Sequence, residues 1–239
     1  RTVIAADCAA AAMTFGPMSF AQQAPEKKDV TIAVGGKSLY YYLPLSIAEQ
    51  LGYFKDEGLN VKIVDFQGGS RSLQAVVGGS ADVVSGAFEH TISMQAKKQP
   101  MTAFVLQGRA PQLALVVSNK TMKDYKQLSD LKGKKVGVTA PGSSSQMVAN
   151  FILKKGGLGP KDVAFIGVGS SSGAVSAIRS GQIDALINLD PVITILLKNG
   201  DAKLVADTRK VKESESFFGG TMPAGCLYAP VSFIEKNPQ

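Results

Sequence analysis

Val61-Lys-Ile-Val-Asp-Phe-Gln-Gly-Gly-Ser-Arg-Ser-Leu-Gln-Ala-Val-Val-Gly-Gly79-Ser-Ala-Asp82-Val-Val84 aligns without a gap on Val163-Ala-Phe-Ile-Gly-Val-Gly-Ser-Ser-Ser-Gly-Ala-Val-Ser-Ala-Ile-Arg-Ser-Gly181-Gln-Ile-Asp184-Ala-Leu186, at a shift of 102 residues. Each copy reads as a strand, a Gly/Ser loop, a helix with small and apolar residues on one face, a glycine stop, an aspartate and a second strand. Shared glycine and aspartate positions mark a repeat rather than a chance match. Upstream, Thr31-Ile-Ala-Val34 and Val136-Gly-Val-Thr139 supply a further strand to each copy, followed by a Gly/Ser loop and a helix.

Alternating strands and helices predict βα units around a mostly parallel sheet. Doubled, the pattern predicts an α/β protein of two lobes with like topology, residues 30–118 and 119–215, each a sheet flanked by helices. Residues 216–239 are expected to return to the first lobe through the apolar Gly225-Cys-Leu-Tyr-Ala229 and to stop short of the helices that would finish it.

The chain has 239 residues, 45% hydrophobic and 19% charged, the composition of an ordinary globular protein. Its formal charge of +7 comes from Lys and Arg scattered singly or in pairs, so no basic stripe for nucleic acid emerges. Residues 1–21 carry an apolar run ending in Ser19-Phe20-Ala21, which reads as a secretory signal peptide, with 22–29 as a linker. Two cysteines, Cys8 and Cys226, make no disulfide framework, and no other segment has the roughly 18 apolar residues of a membrane span.

Ligands of open α/β sheets bind beyond the carboxyl ends of the strands. The repeat pairs those loops: Gly35 to Tyr41, containing Ser38, Tyr40 and Tyr41, faces Ala140 to Ser145. Gln67 to Ser70, with Gly69 and Ser70, matches Gly169 to Ser172, with Ser171 and Ser172. Ser85 to Glu89, with Phe88 and Glu89, matches Asn188 to Asp190.

Ser143, Ser144 and Ser145 open a helical stretch and offer donors at the positive end of its dipole, where an anion is stabilised. Alternatively Ser143 is an N-cap, with Gln146 completing a capping box. Tyr40, Tyr41 and Phe88 are candidate apolar walls or core residues. Glu89 and Asp190 fall at helix starts, where carboxylates cap; either one turned into the cleft would ask for an amine or N–H on the ligand. Gln107 closes an apolar run and is a further candidate contact, with Arg109 nearer the hinge.

Catalytic patterns find no support. Gly36-Lys37-Ser38 lacks the P-loop glycine, since position 31 is Thr31, and the third glycine of Gly167-Val-Gly169-Ser-Ser-Ser-Gly173 stands one residue too far for a dinucleotide fingerprint. No nucleophile elbow is expected. His90 is the single histidine, which excludes a multi-histidine metal site. No catalytic residue, metal or cofactor is expected.

Four segments carry a family resemblance: Pro44-Leu-Ser-Ile-Ala-Glu-Gln-Leu-Gly-Tyr-Phe-Lys-Asp-Glu-Gly-Leu59, Val77-Gly-Gly-Ser-Ala-Asp82, Asp130-Leu-Lys-Gly-Lys-Lys-Val-Gly-Val138 and Gly181-Gln-Ile-Asp184. With them, from Val30 onward, the chain resembles the type 2 periplasmic solute-binding proteins of alkanesulfonate, taurine, nitrate and thiamine-pyrimidine importers. The resemblance implies a small polar or anionic ligand in a cleft between lobes, hinge closure, and an exported, monomeric receptor that docks on an ABC-type membrane permease with a cytoplasmic ATPase. A sensor or scaffold using the same cleft, and a synthase-like enzyme, are the alternatives. The sequence departs from the sulfonate binders in showing no clear cationic partner, and from the fungal pyrimidine synthases in lacking their cysteine-rich iron motif.

Overall fold

The computed structural model describes residues 24–239; the signal-peptide expectation for 1–21 lies outside them. Among the described residues the chain forms two five-stranded sheets flanked by helices. Strands β1 (Asp29–Val34), β2 (Asn60–Asp65), β3 (Val83–Ala87) and β4 (Met101–Leu106) belong to the first sheet. The second holds β5 (Ala114–Ser118), β6 (Lys135–Val138), β7 (Ala164–Gly167), β8 (Ala185–Asn188) and β9 (Ala202–Asp207), and β10 (Gly225–Pro230) returns to the first. Helices are α1 (Leu43–Gln50), α2 (Tyr53–Asp56), α3 (Gly69–Val77), α4 (Glu89–Ala96), α5 (Ser144–Lys155), α6 (Ser172–Ser180), α7 (Val192–Lys198), α8 (Val211–Phe218) and α9 (Val231–Lys236).

The two sheets share one topology. The orders are β2-β1-β3-β10-β4 and β7-β6-β8-β5-β9, and in each the fourth strand runs antiparallel to both neighbours. Each of those strands follows a crossing from the other sheet. Here the structure differs from the expected boundary at 118: β5 does not close the first lobe but sits between β8 and β9 of the second. Its Ala-Leu-Val-Val-Ser run, buried at every position, reads as a central strand in either sheet, so only its partners decide which.

The repeated aspartate has a local reason. Asp82 Oδ2 accepts the Thr31 N–H at 2.8 Å while the Asp82 N–H donates to the Thr31 carbonyl at 2.9 Å, fixing the start of β1 on β3. Asp184 repeats both bonds on Lys135, at 3.0 and 2.8 Å, at the start of β6. Just before each aspartate, Gly79 and Gly181 take φ of +75° and +80°, the left-handed conformation that ends α3 and α6 without Cβ strain.

Packing supplies most of the stability. Val84, Val116, Ile187 and Ile193 are fully buried between sheets and helices, and each such side chain contributes roughly 1.5–3 kcal/mol, more than a typical net hydrogen bond of about 1 kcal/mol. The two crossings, 107–113 and 208–224, are bonded to each other. Gln107 N and Gly108 N donate to the Gly225 carbonyl, Ala224 N donates to the Gly108 carbonyl, and Thr208 exchanges bonds with Leu113. This paired strap joins the two lobes.

Candidate functional site

The carboxyl ends of the parallel strands of both sheets meet across one cleft, and the lobes touch there. Ser70 N–H donates to Ser143 Oγ at 3.0 Å, Ser143 Oγ donates to Ser70 Oγ at 3.1 Å, and Ser70 Oγ donates to the Pro141 carbonyl at 2.9 Å. Nearer the strap, Tyr40 N–H donates to the Asp190 carbonyl at 3.0 Å. Close approach at these points requires glycine: a Cβ on Gly68, whose φ is +91°, would stand 2.8 Å from Ala140 Cβ.

Two of the three expected serines therefore make bonds that neither alternative foresaw. Ser143 is buried and spends its hydroxyl on Ser70 rather than on capping α5, and Gln146 Oε1 accepts the Gly142 N–H, so the expected capping box does not form. Ser145 is fully buried, its Oγ accepting the Thr139 N–H at 3.1 Å and pairing with the Thr139 hydroxyl at 2.9 Å. Ser144 is half-buried in the first turn of α5.

Two cavities flank the contact line. On the strap side a cavity of about 340 Å³ is lined by Tyr40, Tyr41, Arg109, Leu189, Asp190 and Arg209. Opposite, a polar cavity of about 920 Å³ is lined by Ser38, Ser70, Arg71, Ser170 and Ser171, among others. Arg109 and Arg209 stand in the smaller cavity and Arg71 in the larger, so each carries a guanidinium.

Asp190 has both carboxylate oxygens occupied. Oδ1 accepts from Thr194 N–H and Oγ1–H in α7, and Oδ2 accepts from Arg209 Nη1 at 3.0 Å. Arg209 also grips Asp207 through two further bonds of 2.7 and 2.9 Å. Burial works against Asp207's charge, yet the Arg209 bonds outweigh it and hold that carboxyl below its usual range.

Between the cavities, on the first-lobe side, lies a buried polar floor. Glu89 and His90 begin α4 at the end of β3 and are 5% and 4% exposed. Tyr41, 7% exposed, lays its ring on Gly225, whose Cβ would stand 3.4 Å from Tyr41 Cζ. His90 Nδ1 pairs with Tyr228 Oη at 2.9 Å, while a Cβ on Gly69 would stand 3.1 Å from His90 Cε1. Glu89 Oε1 and Tyr41 Oη are buried with no hydrogen-bond partner, while the Glu89 backbone N–H bonds its own carboxyl and the Gly142 carbonyl accepts from the His90 ring.

Burial raises the Glu89 carboxyl to about 7 and lowers His90 to about 4, so His90 is neutral at pH 7. Burial likewise lifts Tyr41, Tyr228 and Cys226, the last to about 12.

The remaining expected residues divide. Phe88 packs into the first-lobe core beside Ala33 and Tyr228, and Gln107 Oε1 accepts the Ser85 hydroxyl at 2.8 Å. Ser172 begins α6 on the exposed side. Gly169-Ser-Ser171-Ser-Gly173 does have the spacing of a nucleophile elbow and does join β7 to α6, contrary to the expectation of none. Ser171 is exposed at a φ of −141°, outside the strained turn of a nucleophile elbow, and the single histidine, His90, is 4% exposed on the other lobe, bonded to Tyr228. Sequence reasoning had set His90 aside as a lone histidine; its position directly after Glu89 at a strand end was the available signal.

This is the two-lobed α/β fold of the periplasmic binding proteins, two helix-flanked sheets with a cleft between them. The chain belongs to the NMT1/THI5-like family, whose profile matches residues 40–216. A solved structure from Bordetella bronchiseptica RB50 is 62% identical with a TM-score of 0.89, covering 90% of this chain and 68% of that one. The alkanesulfonate-binding protein SsuA from Xanthomonas axonopodis pv. citri, bound to MOPS, is 21% identical with a TM-score of 0.67, covering 87% and 68%.

Among curated proteins, YtlA of Bacillus subtilis (strain 168), provisionally named a binding protein, is 26% identical over 82% of this chain and 57% of its own length. The 4-amino-5-hydroxymethyl-2-methylpyrimidine phosphate synthase of Schizosaccharomyces pombe is 27% identical over 67% of this chain and 45% of its own. The chain thus spans about half the length of these relatives. Among the described residues no helix is long and apolar enough to cross a membrane.

Proposed function

We propose that this chain is the ligand-capturing part of an exported, extracytoplasmic receptor. It closes two lobes on a small polar or anionic organic molecule, a sulfonate, carboxylate, nitrate-like anion or pyrimidine, and hands it to an ABC-type membrane permease driven by a cytoplasmic ATPase. In this reading it acts as a monomer and performs no chemistry on the ligand. The observation that supports it is the cleft itself: matched loops of two like lobes, joined by a two-strand hinge, bond to each other through Ser70 and Ser143. Such a contact is made and broken by domain closure, and a ligand that bridges both lobes shifts that equilibrium.

Isothermal titration of the refolded, ligand-stripped protein against sulfonates, carboxylates, nitrate and aminopyrimidines tests the reading, with small-angle scattering on each mixture. Micromolar binding accompanied by a smaller radius of gyration is expected. Absence of binding across the panel, or recovery of a chemically altered ligand, overturns it.

A further inference from the structure

We infer that the floor formed by Glu89, Tyr41 and His90 is a subsite for a ligand head group that donates N–H bonds and carries positive charge, such as an amine or amidine, with the Glu89 carboxylate as its acceptor. The inference rests on the binding-protein reading. It deepens that reading by fixing the chemistry of one end of the ligand.

A buried carboxyl group ordinarily has a cationic or hydrogen-bonding partner, because leaving it unpaired is costly. Glu89 is 5% exposed, and its Oε1 has none. The ionisable groups facing it are Tyr41 from the turn 40–42, Cys226 and Tyr228 from β10, and His90 beside it on α4. The first three are held protonated by burial and His90 is neutral, so none of them brings positive charge to Glu89; of the two arginines lining the adjoining cavity, Arg209 is paired with Asp190 and Asp207, and Arg109 is the other.

A second unsatisfied atom, Tyr41 Oη, stands in the same floor. Helix capping accounts for a carboxylate at the start of α4, but not for two buried polar atoms without partners on two adjacent side chains. Tyr41 also lines the 340 Å³ cavity, so the floor adjoins open space. A flat cation with several N–H donors satisfies a carboxylate and a hydroxyl together, and an anion would meet the Glu89 charge.

Five probes of matched shape test this by titration calorimetry: benzamidine, benzylamine, benzamide, benzoate and benzenesulfonate. In the wild type, one of the two cations is expected to bind at least tenfold tighter than either anion. The heat measured in buffers of different ionisation enthalpy should show proton release at pH 7, as Glu89 gives up its proton to meet the cation. Glu89→Gln should abolish both the preference and the proton release, and Tyr41→Phe, which keeps the ring on Gly225, should weaken the cation several-fold. Binding of anions with no binding of either cation overturns the subsite and leaves the receptor reading standing. Failure of all five probes overturns the subsite, and the wider panel above then decides the receptor reading separately. A cation preference that survives Glu89→Gln also overturns the assignment to Glu89.

Discussion

Glu89 and His90 are neighbours whose burial acts in opposite directions. Glu89 is raised from 4.5 to about 7, so the folded state holds its proton more tightly than the unfolded chain, and its contribution to stability is lost as pH rises from 4.5 to 7. His90 is lowered from 6.5 to about 4, and its contribution is lost as pH falls from 6.5 to 4. Each effect is on the order of 3 kcal/mol over its window. Glu89→Gln should therefore gain on the wild type as pH rises from 4.5 to 7, and His90→Gln should gain as pH falls from 6.5 to 4. Urea denaturation across pH 4–8 reads both differences, and a flat difference for either variant would show that its group is solvated. Arg209 presents a simpler case. Because the Asp207 side chain is 4% exposed and loses both bonds, Arg209→Met should cost about 3 kcal/mol in the same assay, and adding Asp207→Asn should recover part of it.

Elements of the repeat were legible because the signals are local. A Gly stop, an Asp and a β-branched run recur at a fixed spacing, and the structure gives each a bond or a φ angle. Asp184→Ala removes the acceptor for Lys135 N–H and should cost about 1–2 kcal/mol, mostly in the second sheet. Hydrogen exchange of β6 amides is the direct check, and unchanged protection there would mean that the β6–β8 ladder alone sets the register. Two elements were not legible. The sheet to which β5 belongs depends on partners far along the chain, since Ala114 pairs with Asn188 and Asp207. Likewise Ser143 looks like a cap in sequence and is taken instead by Ser70, 73 residues away.

For the whole molecule, closure depends on bare backbone at the contact line. A Cβ on Gly68 meets Ala140 of the other lobe at 2.8 Å, and the positive φ adds strain of its own. Gly68→Ala should thus wedge the cleft, increasing the radius of gyration by scattering and weakening ligand binding tenfold or more while both lobes remain folded by circular dichroism. Full affinity in that variant would show that closure at Gly68 is not coupled to binding.

The sequence by itself determined the α/β class, the doubled βα architecture and the loops that gather at the cleft, because strand periodicity, glycine stops and capping residues act over a few neighbours. Tertiary structure decided the exchange of the antiparallel strands, the engagement of Asp190 by Arg209, and the burial of Glu89 and His90 beside Tyr228. Those properties depend on what residues distant in the chain bring into contact and how far they exclude water, and no local pattern encodes either.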